Sequence, residues 1–176
     1  MHVVMSHLAS RGDNNLYLRK LFNGTDTLLT PHEGTGSFGG GRFSPDGSLI
    51  YLTSDKDRDL QAFARIKLNG EGRPRPIEVI AARSDAEVDG FELSEDGAIA
   101  ALFWNVGGRS ELDFIDLASL KLTHGPKLPS EIVRSAKFSR DGRLLAITAV
   151  GSSAPSDIWI FDRTTGKRSR INKLDI

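Results

Sequence analysis

Three short segments of the chain repeat one another: Arg42-Phe43-Ser44-Pro45-Asp46-Gly47, Glu92-Leu93-Ser94-Glu95-Asp96-Gly97 and Lys137-Phe138-Ser139-Arg140-Asp141-Gly142. Their glycines lie 50 and then 45 residues apart. Each is followed by an apolar run: Leu49-Ile50-Tyr51-Leu52, Ile99-Ala100-Ala101-Leu102-Phe103 and Leu144-Leu145-Ala146-Ile147. An internal repeat constrains a fold more than any single motif, because each copy is one unit that must bury its apolar face against the next. The shared tetrad is turn chemistry. Ser accepts a local backbone hydrogen bond, Pro45 presets φ, Asp tolerates the third position, and Gly takes the positive φ that ends a type I turn with a bulge. Glu95 and Arg140 stand where Pro45 does, at the position that admits most residues.

Each unit continues alike. A polar loop leads to a third apolar run, over 60–68, 112–117 and 158–161. Leu60, Ala62, Ala64, Ile66 and Leu68 share one parity, which predicts a half-buried strand. The spacing in 111–120 also admits a helix, and the β-rich Asp157-Ile158-Trp159-Ile160-Phe161-Asp162 aligned with it favours strand. Turns at Asn69-Gly70 and Thr165-Gly166 precede a weaker polar strand such as Pro76-Ile77-Glu78-Val79-Ile80. Four strands per unit of about 40–50 residues is the arithmetic of a β-propeller blade. The residues ahead of the first tetrad fit a second, third and fourth strand at 2–7, 15–22 and 27–30, with the first strand of that blade expected before Met1. The expectation is an all-β chain of four-stranded antiparallel blades, about four blades with the first inner strand missing. They form one domain with blades at 1–33, 34–83, 84–130 and 131–176.

Composition trims the function classes. The 23 Lys and Arg balance 23 Asp and Glu, which removes the electrostatic reason to expect nucleic acid or an anionic membrane surface as partner. The absence of Cys excludes disulfides, thiolate zinc sites and a cysteine nucleophile. No run of 18 apolar residues predicts a membrane span. No signal peptide is visible in Met1-His2-Val3-Val4-Met5-Ser6-His7, and the expected location is the cytoplasm.

The repeated tetrads resemble the Ser-Pro-Asp-Gly propeller repeats of TolB-like proteins and of the N-terminal propeller in the prolyl oligopeptidase family of serine peptidases. The second resemblance is the closer. It rests on Asn15-Leu16-Tyr17-Leu18-Arg19, Leu29-Thr30-Pro31, the stretch from Gly39-Gly40-Gly41 through Asp46-Gly47, Tyr51-Leu52-Thr53-Ser54-Asp55, and Ser153-Ala154-Pro155-Ser156-Asp157-Ile158-Trp159. It covers essentially the whole chain. It implies a propeller that gates access of oligopeptides to an α/β-hydrolase domain carrying Ser, Asp and His. This chain departs from the family in having about four blades rather than seven or eight, and in lacking the hydrolase domain.

The remaining motifs fall short of chemistry. Thr35-Gly36-Ser37-Phe38-Gly39 and Gly108-Arg109-Ser110-Glu111-Leu112 do not match a nucleophile elbow. Gly34-Thr35-Gly36-Ser37-Phe38-Gly39 matches Gly-x-Gly-x-x-Gly, yet a blade start follows it rather than a helix, so it reads as an inter-blade connection. Asp55-Lys56-Asp57-Arg58-Asp59 has calcium-loop spacing, but Leu60 and Ile66 occupy the positions that need Gly and Glu. The sequon Asn23-Gly24-Thr25 reads as a turn, Trp104 and Trp159 as packing residues. His2, His7, His32 and His124 lack metal spacing. No catalytic residue, cofactor or metal is expected.

The expected activity is therefore non-catalytic binding or gating. The loops joining fourth to first strands and second to third strands share one propeller face, at 34–40, 55–59, 85–89, 105–109 and 151–156. Asp55, Arg58, Asp59, Asn105 and Arg109 are its candidate contacts, suited to a peptide or protein partner, with a separate hydrolase domain as one candidate. One alternative is a TolB-like protein–protein interaction propeller, and the enzymatic rival is a propeller subunit of a split peptidase, or lyase chemistry in a propeller pocket. A third is a structural piece of a longer reading frame. Unpaired blade edges would further permit a homodimer, and 170–176 would otherwise supply the missing strand.

Overall fold

The computed structural model describes residues 1–171, and every regular element among them is a β-strand. Fifteen strands form four antiparallel sheets. The first has three: β1 (His2–Ser10), β2 (Asp13–Lys20) and β3 (Asp26–Leu28). The others have four each. They are β4 (Phe38–Phe43), β5 (Leu49–Ser54), β6 (Ala62–Lys67) and β7 (Glu78–Ala81), then β8 (Glu87–Leu93), β9 (Ile99–Val106), β10 (Arg109–Asp116) and β11 (Leu122–His124). The last sheet holds β12 (Ile132–Phe138), β13 (Leu144–Gly151), β14 (Ala154–Asp162) and β15 (Arg168–Arg170). Within each sheet every strand pairs with its successor, the meander of a propeller blade. Among the described residues the first sheet has no strand in the inner place that β4, β8 and β12 take in the others. Of the segment 170–176, Arg170 ends the outer strand β15 and the Ile171 N–H donates to the Ile158 carbonyl (2.9 Å); residues 172–176 lie outside the described residues.

The three tetrads fold identically. Gly47, Gly97 and Gly142 have φ of 70°, 68° and 67°, the left-handed region where a Cβ would be strained. Their N–H groups donate to the carbonyls of Ser44, Ser94 and Ser139 at 2.9, 3.0 and 2.9 Å. Each Ser hydroxyl donates to the Asp two residues on at 2.6 Å and accepts the N–H of Leu49, Ile99 or Leu144. The Asp is thus an active partner. Its carboxylate also accepts the N–H of Ser48, Ala98 or Arg143. Hydrogen bonds to the ionised form hold all three aspartates below the usual carboxylate range, and the Ser44 and Ser48 hydroxyls bring Asp46 to about 2.

The chain divides into two compact units, 1–90 and 91 onward. In the first, Leu16, Leu18, Leu29, Phe38, Ile50, Leu52, Ala64 and Ile66 form the core. Asn14 ties β2 to β4 through a side-chain amide that both donates to the Phe38 carbonyl and accepts its N–H, each at 2.8 Å. In the second, Ala101, Phe103, Leu112, Phe138, Leu145, Ile147, Ala149 and Phe161 pack together. There Lys137 Nζ reaches the buried Glu92 carboxylate at 2.6 Å. The Arg163 guanidinium lies 5.1 Å from the Phe114 ring centre and donates to the Gly142 carbonyl at 2.7 Å.

Several expected boundaries move. The 60–68 segment is not half-buried: Ala62, Phe63 and Ala64 are all fully buried, and the strand begins only at Ala62. The 111–120 segment is a strand to Asp116, then a turn with Leu120 at φ 58°. The strand expected at 158–161 begins at Ala154.

Candidate functional site

Within each unit, the loop that leads into a blade is stapled to a neighbouring hairpin on the same face. In the first unit the 29–37 connection meets the 55–61 loop. The Asp55 carboxylate accepts the Ser37 N–H at 2.6 Å, Gln61 Nε2 donates to the Ser37 hydroxyl, and Lys56 Nζ donates to the Pro31 carbonyl. His32 anchors the same connection. Its Nδ1 faces the Thr30 carbonyl at 2.8 Å and its Nε2 faces the Asp13 carboxylate at 3.0 Å. Both neighbours accept, so the ring is suited to carry two protons. The Thr30 carbonyl first, and Asp13 after it, raise the His32 pKa above its ordinary value.

In the second unit the 125–131 connection plays the same part. The Ser110 N–H donates to the Glu131 carbonyl at 2.7 Å, and the Ser110 hydroxyl accepts the Val133 N–H. The Glu131 carboxylate accepts from the Ser152 N–H and hydroxyl and from Arg109. The Ser152 N–H is foremost in keeping Glu131 ionised below its usual range. This arrangement encloses an open cleft of about 710 Å³. Leu112, Pro126, Leu128 and Pro129 form its apolar part, and Arg109, Lys127, Glu111 and Glu131 bring both signs of charge to its rim. His124 also lines it. Its Nδ1 sits 2.7 Å from the buried Asp113 carboxylate, which accepts a hydrogen bond there and turns Nε2 outward. Such a cleft offers hydrogen-bond acceptors, cations and apolar surface together, the mixture that a peptide backbone and its side chains use.

The five expected contacts divide between the units. Asp55 and Arg58 are committed to loop geometry, Arg58 Nε donating to the Leu60 carbonyl at 2.6 Å, and Asp59 is exposed beside them. Asn105 caps the Gly107-Gly108 turn by accepting the Gly108 N–H at 2.9 Å. Only Arg109 lines the cleft. The expected loops are also shorter than read: 38–40, 87–89, 105–106, Arg109, Gly151 and 154–156 belong to strands. The missed residues are Lys127, Glu131 and the Asp113–His124 pair. Pro126 and Pro129 were their visible signal, since two prolines three residues apart stiffen a connection without donating to a ladder. Asp113 and His124 meet only through the pairing of β10 with β11. Among the described residues no group of three or more His or acidic side chains is placed to hold a metal ion.

No family model and no curated protein sequence matches the chain. Solved structures do match its fold. TolB from Acinetobacter baumannii superposes with a TM-score of 0.69 at 18% identity over 97% of this chain and 40% of that one. A puromycin-hydrolyzing peptidase from Mycobacterium tuberculosis gives 0.76 at 16% over 97% and 27%. Prolyl oligopeptidase B from Galerina marginata gives 0.74 at 16% over 99% and 26%. The chain thus shares the fold of TolB-like and prolyl oligopeptidase-type propellers while spanning less than half the length of each of these three. Its described residues contain no α/β-hydrolase domain.

Proposed function

We infer that the chain is a non-catalytic propeller module that binds or gates a peptide or protein segment on the face carrying the 125–131 connection. The observation that carries this reading is the cleft of about 710 Å³, where a stapled loop presents both signs of charge, apolar side chains and an outward His124 nitrogen. The likeness to peptidase and TolB propellers supports the same role by analogy of fold. The experiment is a titration of short proline-containing oligopeptides followed by backbone amide NMR. Shifts centred on 109–112 and 124–131, weakened at least several-fold by Arg109→Ala with Lys127→Ala, are expected. Shifts elsewhere, or binding indifferent to both substitutions, would overturn it.

The likeness to peptidase structures also keeps a second reading in view, a propeller subunit completed by a separate hydrolase chain. It predicts peptide hydrolysis when an α/β-hydrolase domain is added and none from this chain alone. Turnover by the chain alone would refute the non-catalytic assignment.

A further inference from the structure

A second pocket, of about 400 Å³, adjoins the cleft within the same compact unit. His124, Gly125 and Pro126 line both, so that stretch of chain is their common wall. Phe114, Thr123, Phe161, Asp162, Arg163 and Gly166 complete the smaller one. These six come from β10, β11 and the β14–β15 hairpin.

Arg163 is the pocket's distinctive group. In the same blade Arg143 and Arg170 each face a carboxylate, Asp162 at 4.0 Å and Asp157 at 2.6 Å. Arg163 is half-buried, yet among the described residues it forms no ion pair. Its Nη1 donates to the Gly142 carbonyl at 2.7 Å, and the guanidinium lies 5.1 Å from the Phe114 and 5.9 Å from the Phe138 ring centre. Those contacts occupy one nitrogen and leave most of its five N–H donors for something else. Burial pushes the guanidinium down from its ordinary value, and Asp96, too far off to pair, offsets part of this. A partly desolvated cation gains more from an incoming anion than an exposed one does, because some of its water is already gone. Asp162, the acid lining the pocket, is engaged elsewhere: it accepts the Thr164 and Thr165 N–H groups at 2.9 and 3.2 Å and faces Arg143. Phe114 and Pro126 add apolar walls, which suit a carboxylate carried on a short hydrocarbon stem.

We propose that the Arg163 pocket takes a carboxylate of a peptide, from an acidic side chain or from the C-terminus, while the peptide chain lies in the cleft. This rests on the peptide-binding reading of the cleft and adds a charge requirement to it. The probes are three acetylated peptides of one proline–alanine sequence: one ending in Glu-amide, one in Gln-amide and one in Gln with a free carboxylate. Each is titrated into the 176-residue chain and followed by amide NMR and by the Arg163 Nε–H signal. At least one carboxylate peptide should bind about tenfold more tightly than the Gln-amide peptide, with shifts at 114 and 161–166 and at Arg163 Nε–H. Which of the two gains affinity tells which carboxylate enters. Arg163→Gln should erase the difference, and Arg163→Lys should keep part of it, because the charge stays while the planar fork is lost. The wild-type comparison stands even if a variant fails to fold. Three peptides that bind alike, with shifts only at 109–112 and 127–131, overturn this proposal and leave the cleft reading intact. A carboxylate preference that survives Arg163→Gln, or that shifts only Arg109 and Lys127, also overturns it. Shifts at neither place overturn both.

Discussion

Replacing Ser94 by Ala tests whether the repeated tetrad is held by its hydroxyl. Ser94 is 4% exposed. Its Oγ donates to Asp96 at 2.6 Å and accepts the Ile99 N–H at 3.0 Å. Removing it leaves a part-buried N–H without its acceptor and takes one donor from a carboxylate. Losing a bond to a charged group and stranding a buried donor each cost roughly 1–3 kcal/mol. Asp96 is exposed, so water replaces much of its lost bond, and the expected total is about 2 kcal/mol. For a chain of this size that is a melting shift of ~4–8 °C. The assay is urea unfolding read by tryptophan fluorescence, since Trp104 and Trp159, the chain's two tryptophans, both lie in the same compact unit as Ser94. Ser139→Ala, at a less buried copy of the same turn, should cost less. Acid provides the second arm. The folded-state pKa of Asp96 is depressed, so its contribution is present above the unfolded value and is lost as pH falls through the folded one. The Ser94→Ala penalty should therefore shrink as pH falls below the ordinary aspartate value of about 3.9, leaving the part owed to the Ile99 N–H. A penalty under about 0.5 kcal/mol at neutral pH, or one that grows in acid, would refute the reasoning.

Two further outcomes follow from single positions. At Gly125 an added Cβ would stand 2.5 Å from the Leu112 carbonyl oxygen, so Gly125→Ala must shift the 125–131 connection; a cost of about 1–3 kcal/mol and weakened peptide binding at the cleft are expected in thermal melts and titrations. His32 has a raised pKa in the folded state, so its contribution is complete below its unfolded value and fades as pH rises through the folded one. The melting-temperature advantage of wild type over His32→Gln should accordingly narrow as pH rises above the ordinary histidine value of about 6.5; an advantage that widens would contradict the two-acceptor geometry of Asp13 and Thr30.

The strands and their turns follow from local chemistry. A tetrad whose Gly needs positive φ and whose Ser and Asp bond within five residues is a local device, and local devices are legible wherever their letters stand. The apolar runs after each tetrad specify strands for the same reason, and their recurrence specifies blades. What those strands become depends on packing. The burial of Phe63 on the face expected to be open, and of Thr53 and Ser54 at the end of β5, comes from packing on both sides of a strand, which parity along the chain does not encode. The candidate site was legible only at Arg109. Asp55, Arg58 and Asn105 looked like free loop polar groups, and the fold uses them to satisfy backbone N–H and carbonyl groups nearby. Asp113 and His124 are eleven residues apart in the chain and become partners only because antiparallel register sets them side by side. Turn chemistry is written within a few residues, whereas a cleft is made of side chains whose neighbours are chosen by strand register and blade packing.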